Sequence, residues 1–223
     1  QLVIQGNSVI DLHVGVERPL VRTAVAPVMR STIEASNIAA VRIADRCVFD
    51  FFIQEFIPFV DANYRTRSAK EFRAVAGLSM GGHGTLIMAM KHPDLFVAAA
   101  PLSAGIFTED ELINMDNDNW DRVFGPPYGQ GLKGKERLTE HLKQNWILKI
   151  VENAKPEDLQ KVRYYIDCGD GDFLIKGNMA LHALMIDKKI PHEFRVRDGE
   201  HNWTYWRTAL PEVLKFVGES FHR

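Results

Sequence analysis

The chemistry of this chain is concentrated in a serine, a histidine and an aspartate carried on three separate segments. Gly77-Leu78-Ser79-Met80-Gly81 has the form G-x-S-x-G. A serine hydroxyl is a weak nucleophile until a base removes its proton and the site holds it exposed. A sharp strand-to-helix turn supplies the exposure. Glycines on both sides let the chain close tightly around a strained residue. The helix that follows turns its N-terminal N–H groups toward a developing oxyanion, and the backbone N–H of Met80 is the expected donor. Such pentapeptides recur by chance, and the alternative reading is a glycine-rich turn with an incidental serine. The context favours the nucleophile, because an apolar run (RAVAGL) precedes the motif and a helical run (GGHGTLIMAM) follows it. His83, in the first turn of that helix, reads as a packing residue.

A serine nucleophile needs a base and a carboxylate that orients it. On a parallel α/β sheet both lie on loops at the C-terminal ends of later strands, in the order Ser…Asp…His. Of the eight histidines, His201 alone combines that order with a loop position, in Asp198-Gly199-Glu200-His201-Asn202-Trp203. The strand-like VRYYIDC leads into Gly169-Asp170-Gly171-Asp172-Phe173-Leu174, where three aspartates compete. Asp167 falls within the strand pattern and is expected to face a neighbouring element. Asp170, flanked by glycines, suits a turn. Asp172 precedes the apolar Phe173-Leu174, which would bury it toward the histidine. Asp172 is preferred on this local chemistry, with Asp170 the alternative.

These segments need a scaffold. Short apolar runs alternate with helical runs, the pattern of parallel strands joined by helices. Strands are expected at Val21–Val28, Phe72–Leu78, Phe96–Leu102, Val162–Cys168 and His192–Arg197. Helices are expected at 46–63, 81–91, 178–188 and 205–221. The polar stretch from Thr108 to Lys161 reads as helices and loops inserted above the sheet. A single α/β-hydrolase-type domain over residues 1–223, doubly wound and mostly parallel, is therefore expected.

The 223 residues suffice for one sizeable core. With 27 Lys+Arg against 29 Asp+Glu the net charge is −2, which points to neither a nucleic acid nor an anionic membrane as partner. The longest uncharged apolar run, Phe96 to Phe107, is too short for a membrane span of roughly 20 residues. Two cysteines, Cys47 and Cys168, make no disulfide framework and read as buried free thiols. No cofactor is implied, and no Cys/His cluster has zinc spacing. Asp116-Asn117-Asp118-Asn119 lacks the glycine and the ligand of a calcium loop and reads as a helix-capping loop. Lys133 to Lys143 reads as a solvated helical face. The chain opens on Gln1, not Met, so a processed, trimmed or incomplete N-terminus is expected. A soluble protein, secreted or periplasmic in preference to cytoplasmic, is the expectation.

GLSMGGHG, CGDGDFLI and GEHNWTYWR together resemble the esterase family that includes feruloyl and acetyl-xylan esterases, S-formylglutathione hydrolases, siderophore esterases and mycolyltransferases. The resemblance is nearest to the bacterial feruloyl-esterase-like branch and runs from about Ser8 to the C-terminus. It implies Ser79 as nucleophile, Asp172 (from C-G-x-x-D) as acid and His201 (from G-x-H-x-W) as base. It also implies a feruloyl or acetyl ester, free or linked to plant polysaccharide, as substrate. Trp203, Trp206 and Phe173 would then line the substrate pocket, although the two tryptophans read equally well as anchors of the last helix. Family members carry earlier strands and an H-G-x-G-like loop with a second oxyanion N–H. Here Gln5-Gly6-Asn7 matches that loop poorly. The expectation is a sheet short of N-terminal strands, with an edge open to pairing in a homo-oligomer. Loss of one oxyanion donor costs roughly 10²–10³ in rate. Two alternatives stand: a thioesterase resembling S-formylglutathione hydrolase, and a non-catalytic binding module with an incomplete oxyanion hole.

Overall fold

In a computed structural model of the chain, the described residues are 2–5, 10–13 and 48–222. Six strands form one sheet: β1 (Leu2–Gln5), β2 (Ile10–His13), β3 (Ala74–Leu78), β4 (Ala98–Leu102), β5 (Arg163–Gly169) and β6 (His192–Arg197). Their spatial order is β2-β1-β3-β4-β5-β6, and only the β1–β2 pair is antiparallel. Two N-terminal strands that the sequence did not reveal are present and move the open edge away from β3. Leu2–Gln5 pairs along β3 from Leu2↔Ala74 to Gln5↔Gly77, so β3 is an inner strand. Each of the two added strands has four residues, too short a run to stand out by periodicity. The expected strand at Val21–Val28 lies outside the described residues, as do Cys47 and the Gly6-Asn7 of the poorly matching loop.

Strands β3, β4 and β5 are buried on both faces, as a parallel sheet requires. Their alternate residues feed two cores. Ala74, Ala76, Leu78, Ala98, Ala100, Leu102 and Tyr165 pack under one long helix, α11 (Trp203–Ser220). Val75, Ala99, Tyr164 and Ile166 point the other way, into a larger core. The helices on that face include α3 (Met80–Lys91) and α10 (Ile175–Asp187). Before β3 the predicted helix is present from Val48. It runs as α1 (Val48–Phe51), a π-helical turn over Phe52–Phe56, and α2 (Ile57–Asn63). The segment between β4 and β5 folds as short helices: α4 (Glu109–Asn114), α5 (Asn117–Val123), α6 (Gly125–Tyr128), α7 (Glu140–Asn145), α8 (Ile147–Asn153) and α9 (Pro156–Leu159). Thr108 caps α4 with a reciprocal Glu111 capping box, and Asp116 caps α5 by accepting from the Asn119 N–H at 2.8 Å.

One surface expectation fails. Within the Lys133–Lys143 run, Arg137 is buried. Its guanidinium donates to the carbonyls of Leu132, Leu112 and Met115 and to Asn117 Oδ1, and it packs over the Trp120 ring. Charge spacing reports solvation only when a side chain has no buried acceptors to reach. Here the carbonyls ending α4 have no intrahelical donors and draw the guanidinium inward. Among the described residues, no helix is long and apolar enough to cross a membrane.

Candidate active site

Ser79 is the single residue between the end of β3 and the start of α3, and it sits at φ 55°, ψ −120°. A positive φ in a residue with a Cβ costs on the order of 1–3 kcal/mol and persists only where surrounding structure enforces it. Enforcement is visible here. The Ser79 N–H donates to Leu102 O at 2.9 Å, and its carbonyl accepts from Gly105 N at 2.9 Å and His83 N at 3.1 Å. A Cβ on Gly77 would lie 2.4 Å from the Gly81 carbonyl oxygen, so the turn closes only with glycine there. Met80 opens α3, and a residue at that position has no intrahelical acceptor for its N–H. The N-terminal end of α3 carries partial positive charge, which favours a negative group beside it.

The other two segments converge on this serine. His201 Nε2 lies 2.9 Å from Ser79 Oγ, and His201 Nδ1 lies 2.9 and 3.0 Å from the two carboxylate oxygens of Asp172. A carboxylate only accepts, so Nδ1 carries the imidazole proton and Nε2 is left to accept from the serine hydroxyl. Asp172 is buried, and its Oδ1 also accepts from the Leu174 N–H at 2.9 Å. Burial alone would raise its pKa. Donation from His201, Leu174 N–H and the Ser103 hydroxyl outweighs that and holds it below the usual carboxylate range.

The three aspartates have separate environments. Asp170 accepts from the Gly199 N–H at 3.1 Å, and its own N–H donates to Arg197 O, as a turn residue would. Asp167 is fully buried and accepts from the hydroxyls of Tyr165 and Tyr205 while pairing with Arg197 at 2.9 Å. Neither is bonded to His201.

The aromatic residues divide in a way their sequence positions do not show. Trp206 is buried, donates from Nε1 to Ser103 Oγ at 3.0 Å, and meets the His201 ring edge-on, with centroids 4.9 Å apart. Trp203 is 57% exposed and touches Trp206. Trp206 therefore anchors α11 to Ser103, while Trp203 stands at the surface beside it. Phe173 does not bury Asp172 as expected. It is 65% exposed and lies against the His201 ring at 4.7 Å, whereas Leu174 is buried. Met80 is 52% exposed.

Three neighbours complete the surroundings. His83 bonds through Nδ1 to Gly105 O at 3.0 Å, and burial is the main cause of its pKa falling to about 4, so it is a neutral packing residue. Cys168 is a free thiol pushed up to about 12, chiefly by burial, and so is unreactive near neutrality. Ser103, at φ 44° and fully buried, receives the Trp206 indole and donates toward Asp172. Its sequence context carries no motif, and only the crossing of β4, β5 and α11 reveals it. Among the described residues, no group of three or more His, Cys, Asp or Glu side chains is placed to hold a metal ion.

A strained serine between a parallel strand and a helix, with an aspartate and a histidine from the ends of β5 and β6, is the arrangement of an α/β-hydrolase-type esterase. The family described as "Putative esterase" matches residues 37–217, and the chain belongs to that family. It is 44% identical over 164 residues to an esterase of Mycobacterium tuberculosis, an alignment covering 68% of this chain and 35% of that protein. It is 25% identical over 178 residues to an acetyl esterase of Caldicellulosiruptor saccharolyticus, covering 76% of this chain and 63% of that one. The solved structure of a ferulic acid esterase superposes with a TM-score of 0.61 at 34% identity, over 77% of this chain and 60% of that chain. The chain thus spans less than two thirds of the length of each of these proteins.

Proposed function

We propose that this chain hydrolyses carboxylic esters through an acyl-enzyme, with feruloyl or acetyl esters of plant polysaccharide as substrates. The observation that carries the reading is the unbroken hydrogen-bonded series from Asp172 through His201 to Ser79, at 2.9 Å on each side of the imidazole. Ser79 Oγ attacks the acyl carbon while its proton passes to His201 Nε2. The carbonyl oxygen becomes an oxyanion facing the Met80 N–H. Collapse of that intermediate breaks the C–O bond, and the alcohol leaves with the proton from His201. Water then attacks the acyl-enzyme, giving its proton to His201, and the carboxylic acid is released as Ser79 regains its hydrogen. Asp172 keeps the imidazole in the required tautomer and stabilises it when doubly protonated.

The exposed side chains of Met80, Phe173 and Trp203 offer apolar surface to an aromatic acyl group, and the likeness to a ferulic acid esterase supports that acyl class. Purified protein assayed with methyl ferulate, p-nitrophenyl acetate and S-formylglutathione tests the reading. Hydrolysis of the two oxygen esters should exceed that of the thioester. A preference for S-formylglutathione overturns the substrate class, and failure to turn over any of the three overturns ester hydrolysis.

A further inference from the structure

The loop that carries His201 has an unusual support. It leaves β6 at Arg197 and enters α11 at Trp203, and nothing between them is regular secondary structure. Its outer side borders a cavity of about 490 Å³ whose walls include Arg197, Asp198, Glu200 and Tyr205. Within the loop, Gly199 has φ 148°, and a Cβ there would lie 2.3 Å from the Tyr205 ring, so the loop is drawn tightly onto that tyrosine.

The group beneath is Asp167, at the end of β5. One carboxylate oxygen accepts from the Tyr205 hydroxyl. The other lies 2.9 Å from Arg197 Nη2, which also reaches Glu212 Oε2 and the Tyr165 oxygen at 2.7 Å each, and it accepts from the Tyr165 hydroxyl at 3.1 Å. Arg197 is four residues before His201, and Tyr205 is four residues after it. The Asp167 carbonyl also accepts from the Ser103 N–H at 2.7 Å, and Ser103 Oγ receives the indole of the tryptophan that abuts the His201 ring. We infer that Asp167 is a positioning residue for the base, a buried carboxylate that pins both ends of the His201 loop and thereby fixes the imidazole against Ser79. The inference rests on the catalytic reading above.

Stability alone is a poor reason for this cluster. A buried ion pair contributes little net stability, because desolvation offsets the attraction. Burial here pushes the Asp167 carboxyl up in pKa, even against the pull of Tyr205 and Arg197. Two anchors on opposite sides of one histidine do, however, define where that histidine sits, and a displacement near 1 Å can cost on the order of 10² in rate.

The test compares wild type with Asp167→Asn, which keeps the shape and removes the charge. Two readouts are needed: kcat and KM for p-nitrophenyl acetate, and the low-field proton resonance of His201 Nδ1–H. The expected result is a kcat lowered on the order of 10²-fold with KM unchanged, together with a broadened or displaced His201 resonance. A lower melting temperature with kcat and the resonance both at wild-type values would overturn the inference, as would a loss of rate that leaves the resonance untouched. Should Asp167→Asn fail to fold, Tyr205→Phe removes one anchor only. It should lower kcat less and still move the resonance, and no change in either overturns the inference. Wild-type protein inactive on all esters would refute the catalytic reading instead, and the His201 resonance would still decide the question about Asp167.

Discussion

Ser79 and His201 arrive at the same point by opposite means. The serine is seated by its immediate neighbours. Gly77 admits the turn, and the Ser79 backbone is hydrogen-bonded to Leu102, Gly105 and His83. The histidine is seated from a distance, by an acid on β5's loop, an indole from α11 and the anchors at Arg197 and Tyr205. The serine's seat is local, whereas the histidine's seat is distributed over three chain segments. Damage to the first should act through folding of the turn. Damage to the second should act through alignment while leaving the fold intact.

The largest effect that separates the two seats is expected from Asp172→Asn. The amide cannot hold the imidazole in the tautomer that leaves Nε2 free to accept, and such a change lowers kcat by about 10⁴-fold. The amide fills the same space, but its NH2 cannot accept from the donors around Asp172, so stability should fall only by what an unmade buried hydrogen bond costs, about 1–3 kcal/mol. Steady-state kinetics beside a thermal melt measures both. A matching collapse of stability would mean that Asp172 is a folding element first.

Gly77→Ala tests the local seat and should behave the other way. Its Cβ would fall 2.4 Å from a backbone oxygen, which a flexible side chain could evade and a carbonyl cannot. Overpacking of this kind costs about 1–3 kcal/mol, which in a chain of this size lowers the melting temperature by roughly 2–4 °C per kcal/mol. The remaining folded fraction should also react poorly, because the turn that exposes Ser79 has shifted. Unchanged melting with unchanged kcat would show that the elbow is looser than described.

The same contrast explains what could be read from sequence. The elbow was legible because strand, glycines, serine and helix are contiguous, so a pentapeptide and its flanks contain the whole geometry. Strands β3 to β6 and helices α3, α10 and α11 were legible from apolar runs and helical spacing, with ends shifted by up to three residues. Phe72 was expected in a strand but belongs to a 3₁₀ turn at Lys70–Phe72, and α10 begins at Ile175, ahead of the expected Asn178. Strands β1 and β2 were not legible, since four residues give too little periodicity. Nor was Arg137's burial, which depends on carbonyls from α4, about 25 residues earlier. Around the site, the Asp…His order could be anticipated from strand ends. The strand position of Asp167 and the turn position of Asp170 could be anticipated too, but their partners could not, because these depend on which side chains of β6 and α11 cross above β5. The different fates of Trp203 and Trp206 are of the same kind. Three residues apart on one helix, they would be expected to share a face, yet Ser103 draws one inward and the other stays exposed.

The most direct measurement of the central claim is covalent labelling with a fluorophosphonate probe, with the modified residue located by peptide mass spectrometry. Wild-type protein should acquire one adduct, on Ser79. Ser79→Ala should acquire none and should lose ester hydrolysis by roughly 10⁶-fold, the scale of removing an activated serine. An adduct on any other residue, or a Ser79→Ala protein that keeps its activity, would contradict the assignment of Ser79 as the nucleophile.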